Sequence, residues 1–188
     1  MSVEFRRQKH LGGNVIGGDP DTFEPKVWRY LVDEFGVRSV LDVGCGEGYS
    51  TREFQLMGLR AIGVDGLREN ADALPGIGVV VHDLTSGPLY VSSIDLVWCC
   101  EVAEHIVPQC EKFLIDTLKC GRVVAMTSSP EIGIHHVNRQ SPEYWKQRMS
   151  EVGYWCNSRV TEEARAIAEH GFFKGTGLVF VRNDQKTD

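Results

Sequence analysis

The chain has no run of 18 apolar residues, so nothing in it reads as a membrane span. Its first ten residues, Met1 to His10, are polar and carry Arg6, Arg7 and Lys9. They lack the apolar segment of a secretory leader, and the expectation is a cytoplasmic protein. There is also no C-x-x-C pair. The six cysteines are Cys45, Cys99, Cys100, Cys110, Cys120 and Cys156, two of them adjacent in an apolar run. That pattern argues against a zinc knuckle or a disulfide frame and reads as reduced, mostly buried thiols. Clustered cations are missing as well: 20 Lys plus Arg stand against 26 Asp plus Glu, a formal charge of −6. Phosphate affinity needs grouped positive charge, so nucleic acid and anionic membrane are disfavoured partners. No internal repeat or low-complexity segment occurs.

What is present is an ordinary globular composition, 188 residues of which 42% are hydrophobic and 24% charged. A chain of that length makes one domain and buries about two-thirds of its unfolded surface without a staple. Residues 1–21 hold Gly12, Gly13, Gly17, Gly18 and Pro20 and are expected to be a glycine-rich loop or flap. Residues 22–188 form the single domain. Thr22 to Phe35 has helical spacing, with Thr22 as cap and Pro25 in the first turn. Strands are expected over Ser39–Val43, Leu59–Val64, Ile77–Val81, Ile94–Cys100, Arg122–Thr127, Gly153–Arg159 and Leu178–Arg182. Helices are expected over Tyr49–Met57, Leu67–Ala73, Cys110–Leu118, Ser141–Val152 and Thr161–His170, with Ser141-Pro142-Glu143 a strong start signal. Strands alternating with helices predict a mostly parallel α/β sheet with helices on both faces. Ligands of such sheets sit beyond the carboxyl ends of the strands, near the switch in strand order.

The segment after the first of these strands, Leu41-Asp42-Val43-Gly44-Cys45-Gly46-Glu47-Gly48, runs from strand into helix. Glycines there allow a tight turn and close approach of a ligand to the backbone. The spacing is G-x-G-x-G, not the G-x-G-x-x-G of a dinucleotide fold, and Glu47 at the helix start is uncomfortable for a pyrophosphate. An NAD-dependent dehydrogenase is therefore a distant alternative, and a cationic or uncharged ligand fits better. V-L-D-V-G-C-G-E-G resembles the first motif of class I S-adenosylmethionine-dependent methyltransferases. The resemblance implies a Rossmann-like seven-stranded sheet with the last strand antiparallel. It also implies cofactor contacts at Asp42, Gly44, Cys45, Gly46, Gly48, Asp65, Gly66, Asp83, Leu84, Cys100 and Glu101. Asp65 would take the ribose hydroxyls, or else be a turn residue. Asp83 would take the adenine amino group, or else close an Asx-turn.

Asp95-Leu-Val-Trp-Cys-Cys-Glu-Val-Ala-Glu-His-Ile106 resembles the D-L-V-x-x-x-E-V-x-E-H segment of small-molecule and sugar methyltransferases of this class. If Glu101 to Ile106 makes a helical turn, Glu101, Glu104 and His105 share a face. Together with one of His135 and His136 they make a hard ligand set for Mg²⁺ or Mn²⁺. The set resembles the metal site of small-RNA 2′-O-methyltransferases. His105 has three readings: metal ligand, general base, or packing residue. Glu101 and His136 are the other catalytic candidates. A sugar hydroxyl is a weak nucleophile that must lose its proton, to a histidine or with the help of a cation.

His135-His136-Val137-Asn138-Arg139-Gln140-Ser141-Pro142-Glu143-Tyr144-Trp145 also resembles a segment of sugar and secondary-metabolite methyltransferases. His136, Asn138 and Arg139 are candidate substrate contacts or plain loop. Tyr144 and Trp145 read as core. No N/D-P-P-Y/F motif and no Pro-Cys pair follows the fourth strand, which speaks against DNA amino or cytosine C5 methylation. The resemblance thus implies O-methylation of a sugar-like or secondary-metabolite acceptor. The alternatives are a metal-dependent RNA 2′-O-methyltransferase and a non-catalytic cofactor-binding subunit. Acceptor walls are expected from the N-terminal segment, Thr85–Ser93 and Ser128–Gln140. Walls built of loops leave room for a homodimer or a partner protein to complete them.

Overall fold

The structure is a computed structural model and describes residues 5–8 and 11–183. A two-stranded antiparallel ribbon comes first, β1 (Phe5–Gln8) and β2 (Leu11–Val15), followed by a single 3-10 turn over Pro20–Thr22. Within the glycine-rich start, the described residues thus include paired strands where a loop or flap was expected. The cap expected at Thr22 is also displaced. Asp19 caps the 3-10 turn, and α1 (Pro25–Phe35) starts after Glu24. The Glu24 carboxylate is turned away from that helix and accepts from the backbone N–H groups of Glu169 and His170 at 2.9 Å each.

The remaining elements follow the expected alternation. They are β3 (Ser39–Val43), α2 (Tyr49–Leu56), β4 (Arg60–Asp65), α3 (Arg68–Ala71), β5 (Val79–Val81), β6 (Ile94–Cys99), α4 (Glu111–Leu118) and β7 (Gly121–Met126). Then come α5 (Pro142–Glu151), β8 (Tyr154–Cys156), α6 (Ser158–Ile167), α7 (Gly171–Thr176) and β9 (Leu178–Arg182). The sixth strand of the sheet is shorter than its pattern suggested because Asn157 caps the next helix, its side chain accepting from the Val160 N–H. Ser141 caps α5 as its sequence demands, accepting from the Tyr144 N–H. α7 was not anticipated; two glycines at its ends hid its short apolar stretch.

The seven strands lie in the order β5-β4-β3-β6-β7-β9-β8. β9 alone runs against its neighbours, pairing antiparallel with both β7 and β8. This is the Rossmann-like sheet with a reversed last strand. Chain direction across the sheet switches between β3 and β6, which are paired in parallel with Asp42 opposite Trp98.

Every residue of β3 is buried, as a strand covered on both faces requires. Side chains alternate between two cores. Leu41, Val97, Val124 and Phe180 join Leu114 and Leu118 of α4 and Trp145 and Met149 of α5. Leu96, Trp98, Val123 and Val179 join Val27, Trp28 and Leu31 of α1, Val160 of α6 and Phe173 of α7. Trp98 is the hub of the second core. It stacks on Phe173 at 5.1 Å and meets Trp28 edge-on at 5.7 Å. All six cysteines carry free thiols, and Cys45, Cys99 and Cys100 are buried. Among the described residues no helix is long and apolar enough to cross a membrane.

The stacking makes a stability prediction. Truncating Trp98 to Ala removes an aromatic that is 2% exposed and should lower the unfolding free energy by about 3–5 kcal/mol. Urea denaturation followed by circular dichroism reads this directly; a loss below about 1 kcal/mol would show that the second core does not depend on this ring.

Candidate functional site

At the carboxyl ends of β3, β4 and β6 lies a cavity of about 1010 Å³. Its floor is the glycine turn. Gly44 has φ 69°, and a Cβ placed on it would lie 2.3 Å from the Val102 methyl, so only glycine lets the turn pass under the β6 tip. Gly46 has φ 55° and nothing within 4 Å of where its Cβ would be; its backbone is open to the cavity. Asp42, Gly44, Cys45, Gly46, Asp65, Gly66, Asp83, Leu84, Cys100 and Glu101 all line this cavity. Gly48 does not. With φ 89° it turns the chain into α2 beneath Ile77 and Val79.

The carboxylates are individually held. Asp42 is buried and accepts from the hydroxyls of Ser50 at 2.5 Å and Thr51 at 2.6 Å. Burial outweighs these bonds and lifts its pKa from 3.8 to about 6, with the Asp65 charge adding to the rise. Asp65 accepts from Leu67 N–H and Asn70 Nδ2 on one oxygen and from Gly46 N–H on the other, so β4 steers the glycine turn. Asp83 closes an Asx-turn on Thr85, accepting from its N–H and hydroxyl, and still faces the cavity. Glu47 accepts from Gly17 N–H at 3.2 Å and anchors the end of the hairpin to the turn.

The β6 end departs from expectation. Glu101 to Ile106 is not one helical turn. Glu101 sits at φ 56°, with its N–H donating to the Thr127 hydroxyl, which donates back to Glu101 Oε1. A left-handed residue stops a helix, so only Ala103–His105 form a 3-10 turn. The ligand atoms of Glu104, His105 and His136 lie within 4.8 Å of one another, and Glu101 stands outside that group. His135 is also outside. Its φ is 60°, and its carbonyl oxygen lies 3.1 Å from His105 Nδ1. His136 Nδ1 similarly lies 3.0 Å from the Glu131 carbonyl oxygen. A ring that donates through Nδ1 to such an oxygen leaves Nε2 free to ligate. Burial drives the His105 pKa down to about 4, which keeps that ring neutral.

Glu104 is the unusual member. It is fully buried, and neither carboxylate oxygen meets a hydrogen-bond donor. Burial first, and the neighbouring Glu101 charge second, push its pKa far above the carboxylate range. An ionised carboxyl in that position costs several kcal/mol unless a cation stands beside it. A carboxylate oxygen and two imidazole nitrogens suit a divalent transition-type ion, so these residues fit a metal.

Two expected walls are corrected. Asn138 is not a substrate contact; it is 1% exposed and donates to the Glu111 carboxylate at 3.0 Å. Thr85–Ser93 packs against α4 and its end instead of lining the cavity, with Leu89 N–H on the Thr117 hydroxyl and Val91 N–H on Cys120 Sγ. Arg139 is exposed and is not among the lining residues. Trp145 is core, and Tyr144 places its hydroxyl on Glu111. The N-terminal segment lines the cavity, as expected of it, through Leu11, Gly12, Val15, Gly17 and Gly18. Its contact with His105 was not foreseen: a Cβ on Gly12 would lie 2.4 Å from that ring, and one on Gly66 would lie 2.5 Å from Leu11.

Residues 41–124 match the model of a methyltransferase domain family. No curated protein matches the chain in sequence. Among solved structures, a TehB-like S-adenosylmethionine-dependent methyltransferase from Corynebacterium glutamicum is similar, with a TM-score of 0.63 and 17% identity over 89% of this chain and 90% of that one. The methyltransferase domain of bacterial CtHen1-C is similar at a TM-score of 0.58 and 16% identity, over 84% of this chain and 98% of that one. A co-crystal structure of WbdD gives a TM-score of 0.56 and 15% identity over 84% of this chain, which spans only 39% of that protein.

The buried carboxylate of Asp42 sets a pH dependence. Its folded pKa, about 6, is above the unfolded value of 3.8. Stability is therefore full below pH 4 for this group, falls as pH rises through that window, and is level above it. The rise corresponds to about 3 kcal/mol as an upper bound. Asp42→Asn keeps an oxygen for Ser50 and Thr51. Its melting temperature should exceed that of the wild type above pH 6 and approach it near pH 4. A constant difference across pH 4–7 would contradict a buried ionised Asp42.

Proposed function

We propose that this chain, which carries a methyltransferase domain over residues 41–124 in the fold of class I S-adenosylmethionine-dependent methyltransferases, is a metal-assisted O-methyltransferase acting on a hydroxyl of an uncharged, sugar-like acceptor. The observation that carries the reading is the Glu104, His105 and His136 cluster beside the cavity that the glycine turn floors.

The cofactor fits this cavity on charge and shape. Asp42, Glu47, Asp65, Asp83 and Glu101 line it, and among the described residues no Lys or Arg does. Such a wall attracts a cationic sulfonium and repels a pyrophosphate. Asp65, at the end of β4, would take the ribose hydroxyls, and Asp83 with Leu84, after β5, the purine; all three line the cavity. Bound there, S-adenosylmethionine supplies an already activated methyl group, so the residues around it mainly orient the acceptor.

The acceptor proton is the remaining problem. Glu104, His105 and His136 would hold a divalent ion, with Glu101 at its flank, and such an ion lowers the pKa of a hydroxyl. Two imidazoles with carboxylates favour Mn²⁺ over Mg²⁺, which prefers an all-oxygen shell. Glu101 lines the cavity and can take the proton that leaves the acceptor, the role His136 would fill only if it did not hold the ion. That no Lys or Arg among the described residues lines the cavity favours a neutral acceptor over a phosphorylated one.

A second reading is methylation of a ribose 2′-hydroxyl on RNA. It is favoured by the E-V-x-E-H segment with its distal His.

Calorimetry tests the first step. S-adenosylmethionine should bind and NAD should not, and Asp65→Ala should weaken cofactor binding about tenfold to a hundredfold. Equal binding by the variant would remove Asp65 from the cofactor site. Transfer of labelled methyl to a panel of free sugars and short RNAs, with Mn²⁺ or with EDTA, tests the rest. EDTA should abolish transfer, and the panel separates the two acceptor readings.

A further inference from the structure

The loop that carries His136 is tied down from behind the site. Glu111, the first residue of α4, is 3% exposed. Its carboxylate accepts from Asn138 Nδ2 at 3.0 Å, from the Tyr144 hydroxyl at 2.8 Å and from Arg148 Nε at 2.9 Å. Asn138 is itself buried, and its backbone N–H donates to the Glu104 carbonyl oxygen at 2.9 Å. The neighbouring Val137 N–H donates to the same oxygen at 2.8 Å. One residue thus grips Glu111 with its side chain and Glu104 with its main chain, two positions beyond His136.

The segment between Met126 and Pro142 contains no helix or strand. Without a ladder of its own, its path is set by such tethers. Glu111 lies outside the cavity and touches no group that faces it. A buried carboxylate holding donors from a loop and from α5 costs desolvation that an apolar residue would avoid. We propose that Glu111 is a positioning residue. Through Asn138 it fixes the separation between the Glu104–His105 turn and His136, and so the affinity of that cluster for a divalent ion. This inference rests on reading the cluster as a metal site.

The test is Mn²⁺ binding to the full chain after EDTA treatment, read as loss of the free-ion electron paramagnetic resonance signal. Wild type should bind. Glu111→Ala and Asn138→Ala should weaken Mn²⁺ binding about tenfold to a hundredfold. Glu111→Gln keeps an oxygen for Asn138 and should restore most of the affinity. Arg148→Ala removes a different partner of the same carboxylate. It should lower the melting temperature and leave Mn²⁺ affinity unchanged. If Glu111→Ala does not fold, Asn138→Ala decides. Folded variants with wild-type affinity would overturn the positioning role alone, as would an Arg148→Ala defect equal to that of Glu111→Ala. Absence of Mn²⁺ binding by wild type would overturn the metal reading and this inference together.

Discussion

The site depends on the parallel pairing of β3 with β6 across the point where the sheet changes direction. That pairing sets Asp42 opposite Trp98 and delivers two very different strand ends side by side. From β3 comes a glycine turn; from β6 comes a left-handed glutamate. The two ends fit because Gly44 has no side chain where Val102 needs room. Burial of β3 on both faces leaves it no freedom to slip. A shift of one residue would turn Leu41 from the core with α4 and α5 into the core with α1. The register that keeps the core dry is the register that builds the cavity.

Polar groups at these strand ends are unusually well accounted for. Asp65 serves backbone donors from two segments, Thr127 closes on Glu101 from both sides, and Glu24 satisfies two amides at the end of α6. Against that background, the donorless carboxylate of Glu104 stands out. Buried beside Glu101, this acid holds its proton far above the usual carboxylate range, and ionising it there is costly unless positive charge accompanies it. Both imidazoles near it have Nδ1 within hydrogen-bond distance of a carbonyl oxygen, which leaves Nε2 as the atom that could ligate. A divalent cation would satisfy all three groups at once.

Much of this was legible in the chain. β3 and β9 fall on their expected residues because an unbroken apolar run in an alternating α/β pattern admits few other readings. The glycine turn and the residues around the cavity were legible because backbone approach demands glycine and charge demands acid, both local requirements. Asn138 was misread because its role is set by Glu111, distant in sequence, and a polar residue between two candidate contacts looks like a third. The Glu101–His105 face was misread because helical spacing was assumed where Thr127, on the neighbouring strand, imposes a left-handed turn. The N-terminal segment was legible as a wall of the pocket, but its strand pairing was not, because glycines at Gly12 and Gly13 hide an extended pattern.

The charge of the cavity constrains what the chain can accept. Its acids Asp42, Asp65, Asp83 and Glu101 lie at four strand ends and are fixed by separate partners, so the negative potential is not a fluctuating surface feature. Glu47, which would repel a phosphate at the start of α2, is held in place by the hairpin through Gly17. The same hairpin presents Gly12 to the His105 ring. Cover and repulsion therefore come from one element. A ligand that displaced the hairpin to relieve the repulsion would also uncover the histidine, admit water and weaken the electrostatic contrast on which positioning depends. The element that covers His105 is thus also the one that holds the anion-repelling carboxylate in place, and neither role can be relaxed without the other.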